Sequence, residues 1–265
     1  MLDNPGIACI ASEGLNVESL NQSEAIIDSG KHLWYDKPAG DNYPQWERIV
    51  AKARSHAQLV QMGFMFRESW AFEFVSEGVH SGVLGEIFSI RAHMSTDIGA
   101  PMQKAISVHT GGILYDLGAH MLDQIVWLLG RPNKITSIMR REHSEVPNFA
   151  DNTVAIYEFD KAMAILDIAA MEPKPMARRF EVYGTNGSAI LGPFDPPEYL
   201  RLALNEPAGG YPAGVTDIPA QPYTRHVESL VRLIACIRGE REPDRSYDHD
   251  LLVQETLMRT VGKYD

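Results

Sequence analysis

The first 67 residues alternate between short apolar runs and amphipathic segments with helical spacing. The apolar runs are residues 6–11, 32–35 and 58–64, and the helical segments between them close at Gly30 and cover residues 46–57. Apolar runs of this length are typical of strands buried on both faces. Because strand, helix, strand, helix, strand is the order of right-handed βαβ units, this part predicts a parallel sheet. Three strands are few for such a sheet, so the α/β unit is expected to be partial.

After Arg67 the pattern changes to helices separated by runs of strands. Helices are predicted over residues 70–80, 114–129, 224–238 and 248–260. Strands are predicted over residues 85–93, 134–139, 152–159, 162–170, 179–183 and 188–191. Residues 97–110 and 192–222 are predicted to be loops, the second interrupted by a strand at residues 199–204. Because tight turns join several strands, this part predicts an open, mainly antiparallel sheet with helices on one face. The fold class is therefore α/β plus α+β.

The charge and cysteine content limit the classes of partner. The chain has 24 Lys and Arg against 35 Asp and Glu, a formal net charge of −11. Nucleic acid and anionic membrane surfaces repel such a chain, so neither is an expected partner. Cys9 and Cys236 are too few for a disulfide scaffold. The N-terminus has no signal-peptide pattern, and no apolar run approaches the roughly 20 residues of a membrane helix. We therefore expect a cytoplasmic protein.

Residues 111–127 carry the pattern most informative about chemistry. At about 100° per residue, Asp116, His120, Asp123 and Trp127 lie within roughly 60° of one another on one helix face. A histidine with a carboxylate one turn away on either side is suited to be a general base, because a carboxylate fixes its tautomer and stabilises the imidazolium. The alternative is a helix whose polar side lies in water, although an aromatic residue such as Trp127 is seldom left in solvent.

Two cationic residues follow predicted strands of the parallel sheet. Lys37 stands at the C-terminal end of the second strand, and Arg67 lies just beyond the third. Open α/β sheets bind their ligands at this edge. Lys37 could therefore bind a ligand, and Arg67 could clamp one that bears hydroxyl or phosphate groups. The alternative for Lys37 is a surface lysine beside a turn proline, which is the commoner case for a Lys-Pro pair. For Arg67 a solvated position is an equally open alternative, because spacing alone does not decide.

Five short motifs together resemble the glucose–fructose oxidoreductase, inositol dehydrogenase and MocA (Gfo/Idh/MocA) family. In the family's order they are Gly30-Lys31-His32 with Asp36-Lys37-Pro38 (family GKHV…EKP), Gly63-Phe64 with Arg67 (GF..R), residues 82–87 (SG.lGei), Gly111-Gly112 with Asp116, Gly118, His120 and Asp123 (GG.l.D.G.H..D), and residues 181–187 (v.Gt.G). Each motif is weak alone. Their shared order over about residues 7–260 makes the combination specific.

The resemblance implies a two-domain oxidoreductase that uses NAD or NADP. Residues 1–67 would belong to the dinucleotide-binding Rossmann domain, and residues 68–265 would form the sheet domain that binds substrate and joins chains into a homo-oligomer. The implied reaction is hydride transfer at a hydroxyl-bearing carbon of a sugar, a cyclitol or a related polyol. These are the small-molecule partners that the resemblance implies.

The resemblance also assigns roles to single residues. Lys37 would bind the substrate hydroxyl, His120 would take its proton as hydride leaves, and Asp116 would orient the substrate or His120. Arg67 and Asp123 would support substrate binding. The cofactor site would include Asp36, Lys37 and Arg67. A cationic lysine close to a histidine lowers the imidazole pKa and keeps it available as a base near pH 7.

The sequence departs from the family at its start. It lacks the opening strand, the Gly-x-Gly-x-x-Gly turn that places a pyrophosphate on a helix N-terminus, and the acidic residue that holds the ribose. We therefore expect an N-terminally truncated Rossmann sheet whose exposed edge makes the chain oligomeric or poorly soluble. Two alternatives stay open. One is a cofactor-free homologue that binds sugars or joins an oligomer; the other is a metal-assisted hydrolase or lyase using His109, Asp116, His120 and Asp123. No obvious third helix-borne ligand supports a metal, so none is predicted.

Overall fold

The computed structural model describes residues 1–14, 16–219, 221 and 224–264. Its first part is a parallel sheet in the order β1-β2-β3. The strands are β1 (Cys9–Ser12), β2 (His32–Tyr35) and β3 (Val60–Met62), connected by helices α1 (Asn16–Asp28) and α2 (Tyr43–Ser55). The predicted alternation of strands and helices is confirmed, with boundaries that differ by a few residues.

Local signals in the sequence account for where these elements begin and end. Gly30 has a positive φ of 79°, a conformation that glycine adopts without strain, so the chain turns there between α1 and β2. The Asn42 side chain accepts a hydrogen bond from the Gln45 main-chain N–H. This cap starts α2 three residues before its predicted boundary. Leu33 and Trp34 are fully buried, as expected for a strand covered on both faces.

The second part is a larger sheet in the order β11-β10-β9-β8-β4-β7-β6-β5. Its strands are β4 (Ile87–His93), β5 (Lys134–Arg140), β6 (Asn152–Glu158), β7 (Met163–Ala169), β8 (Arg179–Gly184), β9 (Gly187–Leu191), β10 (Tyr199–Leu204) and β11 (Gly214–Pro219). Neighbouring strands are antiparallel except β4 and β7, which are parallel. Buried and less buried residues alternate along the central strands. The mainly antiparallel sheet with one covered face is therefore confirmed.

The second part of the chain contains the helices α3 (Trp70–His80), α4 (Ala100–Ile106), α5 (Ile113–Asp116), α6 (Gly118–Leu129), α7 (Val227–Ile237) and α8 (Tyr247–Thr260). Of these, α3, α5, α6 and α8 contact strands of the larger sheet, whereas α4 contacts α5 and α7 contacts β2. In the described residues, none of the helices has the length and apolar character needed to cross a membrane.

Two expectations about the middle of the chain are corrected. Residues 97–110 contain α4 and are not wholly loop. Pro101 fits the first turn of this helix and Ile106 is buried, but a helix of seven residues is too short for its apolar spacing to be recognised in the sequence. The predicted helix over residues 114–129 is divided at Leu117 into α5 and α6.

The loop predicted over residues 192–222 is also wrong in part, because it contains β11. This strand pairs only with β10 within the described residues, with Leu200 opposite Ile218 and Arg201 opposite Asp217. An edge strand of largely exposed residues has a weak hydrophobic pattern, so its pairing and not its local sequence defines it. Positions 220 and 222 of the predicted loop lie outside the described residues.

The last two helices, α7 and α8, pack against the first 67 residues. Trp34 Nε1 donates a hydrogen bond of 3.0 Å to Ser229 Oγ in α7. Gln254 Oε1 in α8 accepts one of 3.0 Å from the main-chain N–H of Ala39. Both helices belong to the second domain in the predicted division at residue 67, although they pack on the first. The division itself stays a prediction.

Gly112, immediately before α5, occupies a position that requires glycine. Its φ is +53°, and a Cβ there would lie 2.4 Å from the main-chain O of Ala150. We expect Gly112→Ala to lower the free energy of unfolding by at least about 1–3 kcal/mol, the usual cost of such backbone strain, measured by urea denaturation. The control is Gly130→Ala, because Gly130 also has a positive φ of 77° but an added Cβ would meet no atom within 4 Å. Equal losses in both variants would contradict a role for the Ala150 contact.

Candidate active site

Lys37 and Asp116 meet at the C-terminal end of β2. Lys37 Nζ lies 3.0 Å from Asp116 Oδ1 and donates a second hydrogen bond of 3.0 Å to the main-chain O of Asp116. The two side chains are 12% and 22% exposed, so the ion pair is shielded but still reachable by a small molecule. The structure thus brings together two of the predicted catalytic residues, which are 79 positions apart in the sequence.

The position of Asp116 follows from the turn that precedes it. Gly111 and Gly112 both have positive φ, which lets the chain turn sharply before α5. The Ile113 N–H donates to the main-chain O of Ala150. The side chains of Ile113 and Leu114 are fully buried. These contacts fix the position of α5, so the carboxylate of Asp116 at its end lies beside Lys37, which follows β2.

His120, the third predicted catalytic residue, is buried one turn further along in α6. Its ring lies edge-on to Phe64 and Phe66, with centroid distances of 6.0 and 5.5 Å. Burial lowers the pKa of His120 well below its ordinary value, and the Lys37 charge lowers it further. Among the described residues, Nδ1 has no hydrogen-bond partner. At neutral pH the ring is therefore an uncharged imidazole that can accept a proton.

Arg67 and Asp123, predicted to support substrate binding, contact each other in a buried cluster. Arg67 Nη2 lies 2.6 Å from both Asp123 Oδ1 and Asp250 Oδ1, and its Nε donates to both Asp123 oxygens. His249 Nε2 lies 2.9 Å from Asp123 Oδ1. Burial opposes ionisation of Asp123, but the Arg67 charge and the His249 hydrogen bond hold its pKa below the ordinary range. The cluster connects α6 to α8, and its predicted part in substrate binding stays a prediction.

The alternative of a water-exposed polar face on this helix is wrong. Asp123 is fully buried and His120 nearly so. Trp127 Nε1 donates a 2.6 Å hydrogen bond to Ser76 Oγ. Tertiary packing overrides the amphipathic pattern here because Arg67 and α8 provide polar partners for side chains that would otherwise need water.

Asp36, assigned to the cofactor site, lies beside Lys37 and accepts a 2.9 Å hydrogen bond from the main-chain N–H of Lys37. Burial raises the pKa of the Asp36 carboxyl. The positive charge of Lys37 opposes this shift. Its contact with a cofactor stays a prediction.

Two residues near this site were missed by sequence reasoning. The His226 ring is edge-on to Trp34 at 5.5 Å. Beyond burial and Lys37, electrostatic interactions with His226 and Arg178 also lower the pKa of His120. Arg178 also forms an ion pair with Asp195. No motif or spacing marks either residue, because each approaches the site only through folding of distant segments.

The donor set does not favour the metal alternative. No cluster of three or more His, Cys, Asp or Glu side chains suited to a metal occurs among the described residues. His109 Nδ1 lies 3.4 Å from Asp41 Oδ2 and its ring stacks on Tyr115. Asp116 contacts Lys37 and Asp123 contacts Arg67. The four residues of the metal hypothesis are thus not brought together.

The described residues fit only one end of a nicotinamide dinucleotide. Lys37 and His120 lie at the carboxyl edge of the parallel sheet, where such ligands bind. The pyrophosphate end needs closely approaching main-chain N–H groups, normally from a glycine-rich turn after a strand. After β1 there is a single glycine, Gly14, and a Cβ there would meet the Gln22 side chain at 2.5 Å. The space next to Gly14 is therefore filled by the protein's own side chain.

Comparison with known proteins shows which families and structures this chain resembles. Residues 72–190 match the model of the GFO/IDH/MocA C-terminal domain. The oxidoreductase YdgJ of Escherichia coli is 27% identical over 207 residues, covering 75% of this chain and 57% of the relative. The scyllo-inositol 2-dehydrogenase (NADP(+)) IolW of Bacillus subtilis is 25% identical over 188 residues, covering 69% of this chain and 51% of the relative. The matched part thus spans little more than half of the length of these relatives.

Solved structures show the same fold. GenD2 from gentamicin A biosynthesis, in complex with NAD, superposes with a TM-score of 0.80 at 20% identity, covering 98% of this chain and 78% of that one. The WlbA dehydrogenase of Bordetella pertussis, in complex with NADH and UDP-GlcNAcA, superposes with a TM-score of 0.75 at 15% identity, covering 99% and 79%.

Proposed function

Because this chain belongs to the Gfo/Idh/MocA family of oxidoreductases, we propose that it takes part in oxidation of a hydroxyl-bearing carbon of a sugar, cyclitol or related polyol. The observation that carries the proposal is that His120 is buried against Phe64 and Phe66, one helical turn beyond Asp116, which forms an ion pair with Lys37. A neutral imidazole can accept a hydroxyl proton, and a fixed cation can stabilise the negative charge that develops on the oxygen.

Each of the three residues has a distinct role in the proposed reaction. His120 accepts the proton of the substrate hydroxyl. The Lys37 ammonium stabilises the negative charge that develops on the substrate oxygen, and Asp116 holds that ammonium in place through its 3.0 Å contact. The rings of Phe64 and Phe66 exclude water from His120 and keep its pKa low.

A nicotinamide cofactor, NAD or NADP, would accept the hydride from the same carbon when bound. Asp36 and Lys37 are the residues proposed to lie closest to it. Arg67 is the weaker member of the proposed cofactor set, because its guanidinium already pairs with Asp123 and Asp250. The cofactors named for IolW and GenD2 support the choice of a nicotinamide.

We also propose that chains associate through the open face of the larger sheet. Ile138 and Met163 are exposed large apolar side chains on that face, and exposed apolar surface on a sheet favours association. A small-molecule polyol or sugar is the other proposed partner.

Titration of NADH and NADPH into the purified 265-residue chain, followed by nicotinamide fluorescence, tests the proposal. We expect saturable binding at micromolar concentrations of one of the two, and then turnover in a screen of polyols. Absence of binding at millimolar concentrations of both would refute a self-sufficient dehydrogenase. Sugar binding without cofactor would then favour the cofactor-free alternative.

A further inference from the structure

A cavity of about 420 Å³ lies between β3 and the segment that connects α7 to α8. Its apolar wall includes Leu59, Val60, Leu233 and Pro243. Lys37, Asp116 and His120 do not line it. Arg67 is the one residue shared with the proposed active site, and its guanidinium there pairs with Asp123 and Asp250. A volume of this size holds a small organic molecule.

Glu68 is a buried carboxylate in the wall of this cavity, with only 7% of its surface exposed. It accepts a long hydrogen bond of 3.5 Å from Gln61 Nε2, which also donates to the Ser229 main-chain O at 2.8 Å. Among the described residues, no cation forms an ion pair with Glu68, although Arg67 and Arg232 are near enough to act on its charge. A buried carboxylate of this kind is unfavourable unless something compensates its charge.

Arg245 is the complementary group in the same wall. Its guanidinium lies 3.6 Å from the centre of the Trp127 ring, and Nη1 donates to the main-chain O of Asp244. Its Nε is buried without a hydrogen-bond acceptor, and no carboxylate among the described residues forms an ion pair with it. Two other cations of the wall are already paired, Arg67 with Asp250 and Arg54 with Asp248.

We propose that this cavity binds a small zwitterion, an α-amino acid with an apolar side chain, whose ammonium group pairs with Glu68 and whose carboxylate pairs with Arg245. The two side chains carry opposite charges, line one cavity and do not form an ion pair with each other. An α-amino acid carries its ammonium and its carboxylate on the same carbon, so one molecule can pair with both side chains at once. The apolar wall accommodates the side chain of the amino acid.

The pH dependence of binding provides a signature of Glu68. Burial raises the pKa of Glu68 to about 7. The positive charges of Arg67 and Arg232 favour the ionised form of Glu68, and the negative charge of Asp244 disfavours it. Arg245 and Glu68 also attract each other electrostatically. The ammonium group of the ligand stays charged at neutral pH, whereas Glu68 becomes ionised as the pH rises. Affinity should therefore increase between about pH 6 and pH 8.

Isothermal titration calorimetry with three matched probes tests the site: L-phenylalanine, phenethylamine, which lacks the carboxylate, and 3-phenylpropanoate, which lacks the ammonium. We expect L-phenylalanine to bind about tenfold or more tightly than either, as loss of one charged hydrogen bond implies. Glu68→Gln should weaken L-phenylalanine binding by about tenfold or more and abolish its pH dependence. Arg245→Gln should weaken binding of L-phenylalanine and 3-phenylpropanoate but not of phenethylamine.

Glu242→Gln is the matched control, because Glu242 lines the same cavity but is exposed. The affinity of this variant for L-phenylalanine should equal that of the wild type. Circular dichroism and a thermal melt establish that each variant is folded. Three outcomes would overturn the proposal: no binding of L-phenylalanine at millimolar concentrations, equal affinity for L-phenylalanine and a truncated probe, or unchanged affinity in Glu68→Gln. None of these readouts depends on oxidoreductase activity.

Discussion

Replacement of Arg67 by leucine is expected to lower the free energy of unfolding by about 3–5 kcal/mol, the usual cost of removing one partner from a buried ion pair. The variant leaves Asp123 and Asp250 buried without the guanidinium that lies 2.6 Å from each. Protonation can relieve part of this cost, because the pKa of Asp123 would no longer be held low by Arg67. The loss should therefore be larger at pH 7 than at acidic pH. Urea denaturation at the two pH values measures it.

The matched control is Arg201→Leu, which makes the same change in an exposed ion pair with Asp217 on the edge of the larger sheet. Exposed pairs contribute little to stability because water and salt screen them. Its denaturation midpoint should stay close to that of the wild type. Similar losses in both variants would mean that the Arg67 cluster contributes no more than a surface pair, contrary to its burial.

Replacement of His120 by asparagine is expected to reduce kcat for polyol oxidation by about 10²–10⁴-fold, the usual contribution of a general base. Asparagine keeps a polar group in the buried position but cannot accept the substrate proton. Because the pKa of His120 lies well below its ordinary value, the wild-type enzyme should keep its activity as the pH falls below neutrality. Initial rates followed by nicotinamide absorbance measure both effects.

Binding of the cofactor distinguishes a catalytic loss from a structural one. The Kd for NADH or NADPH should be the same in His120→Asn and in the wild type, and the thermal midpoint should be similar. His56→Asn, an exposed histidine after α2, should leave kcat unchanged. If His120→Asn turns over as fast as the wild type, another residue removes the proton and the proposed role of His120 is wrong.

The order and type of most elements could be predicted from the sequence, because the signals that specify them act over a few neighbouring residues. The apolar run His32–Tyr35 and the helix Trp70–His80 have the predicted boundaries. The failures are α4, which is too short for its period to be recognised, and β11, which depends on pairing with β10. Motif resemblance added the family and with it the candidate catalytic residues.

The tertiary structure alone decided which polar side chains meet. The sequence determined that Lys37, Arg67, Asp116, His120 and Asp123 were candidates, since their types and local spacing suit proton transfer and ligand binding. The sequence did not determine that Asp116 pairs with Lys37 and Asp123 with Arg67. It also did not show that Arg67 contacts Asp250, which lies 183 positions further along the chain. Nor did it indicate His226 or the cavity that brings Glu68 and Arg245 together. The physical reason is that burial and pairing depend on packing between distant segments, which local periodicity does not encode.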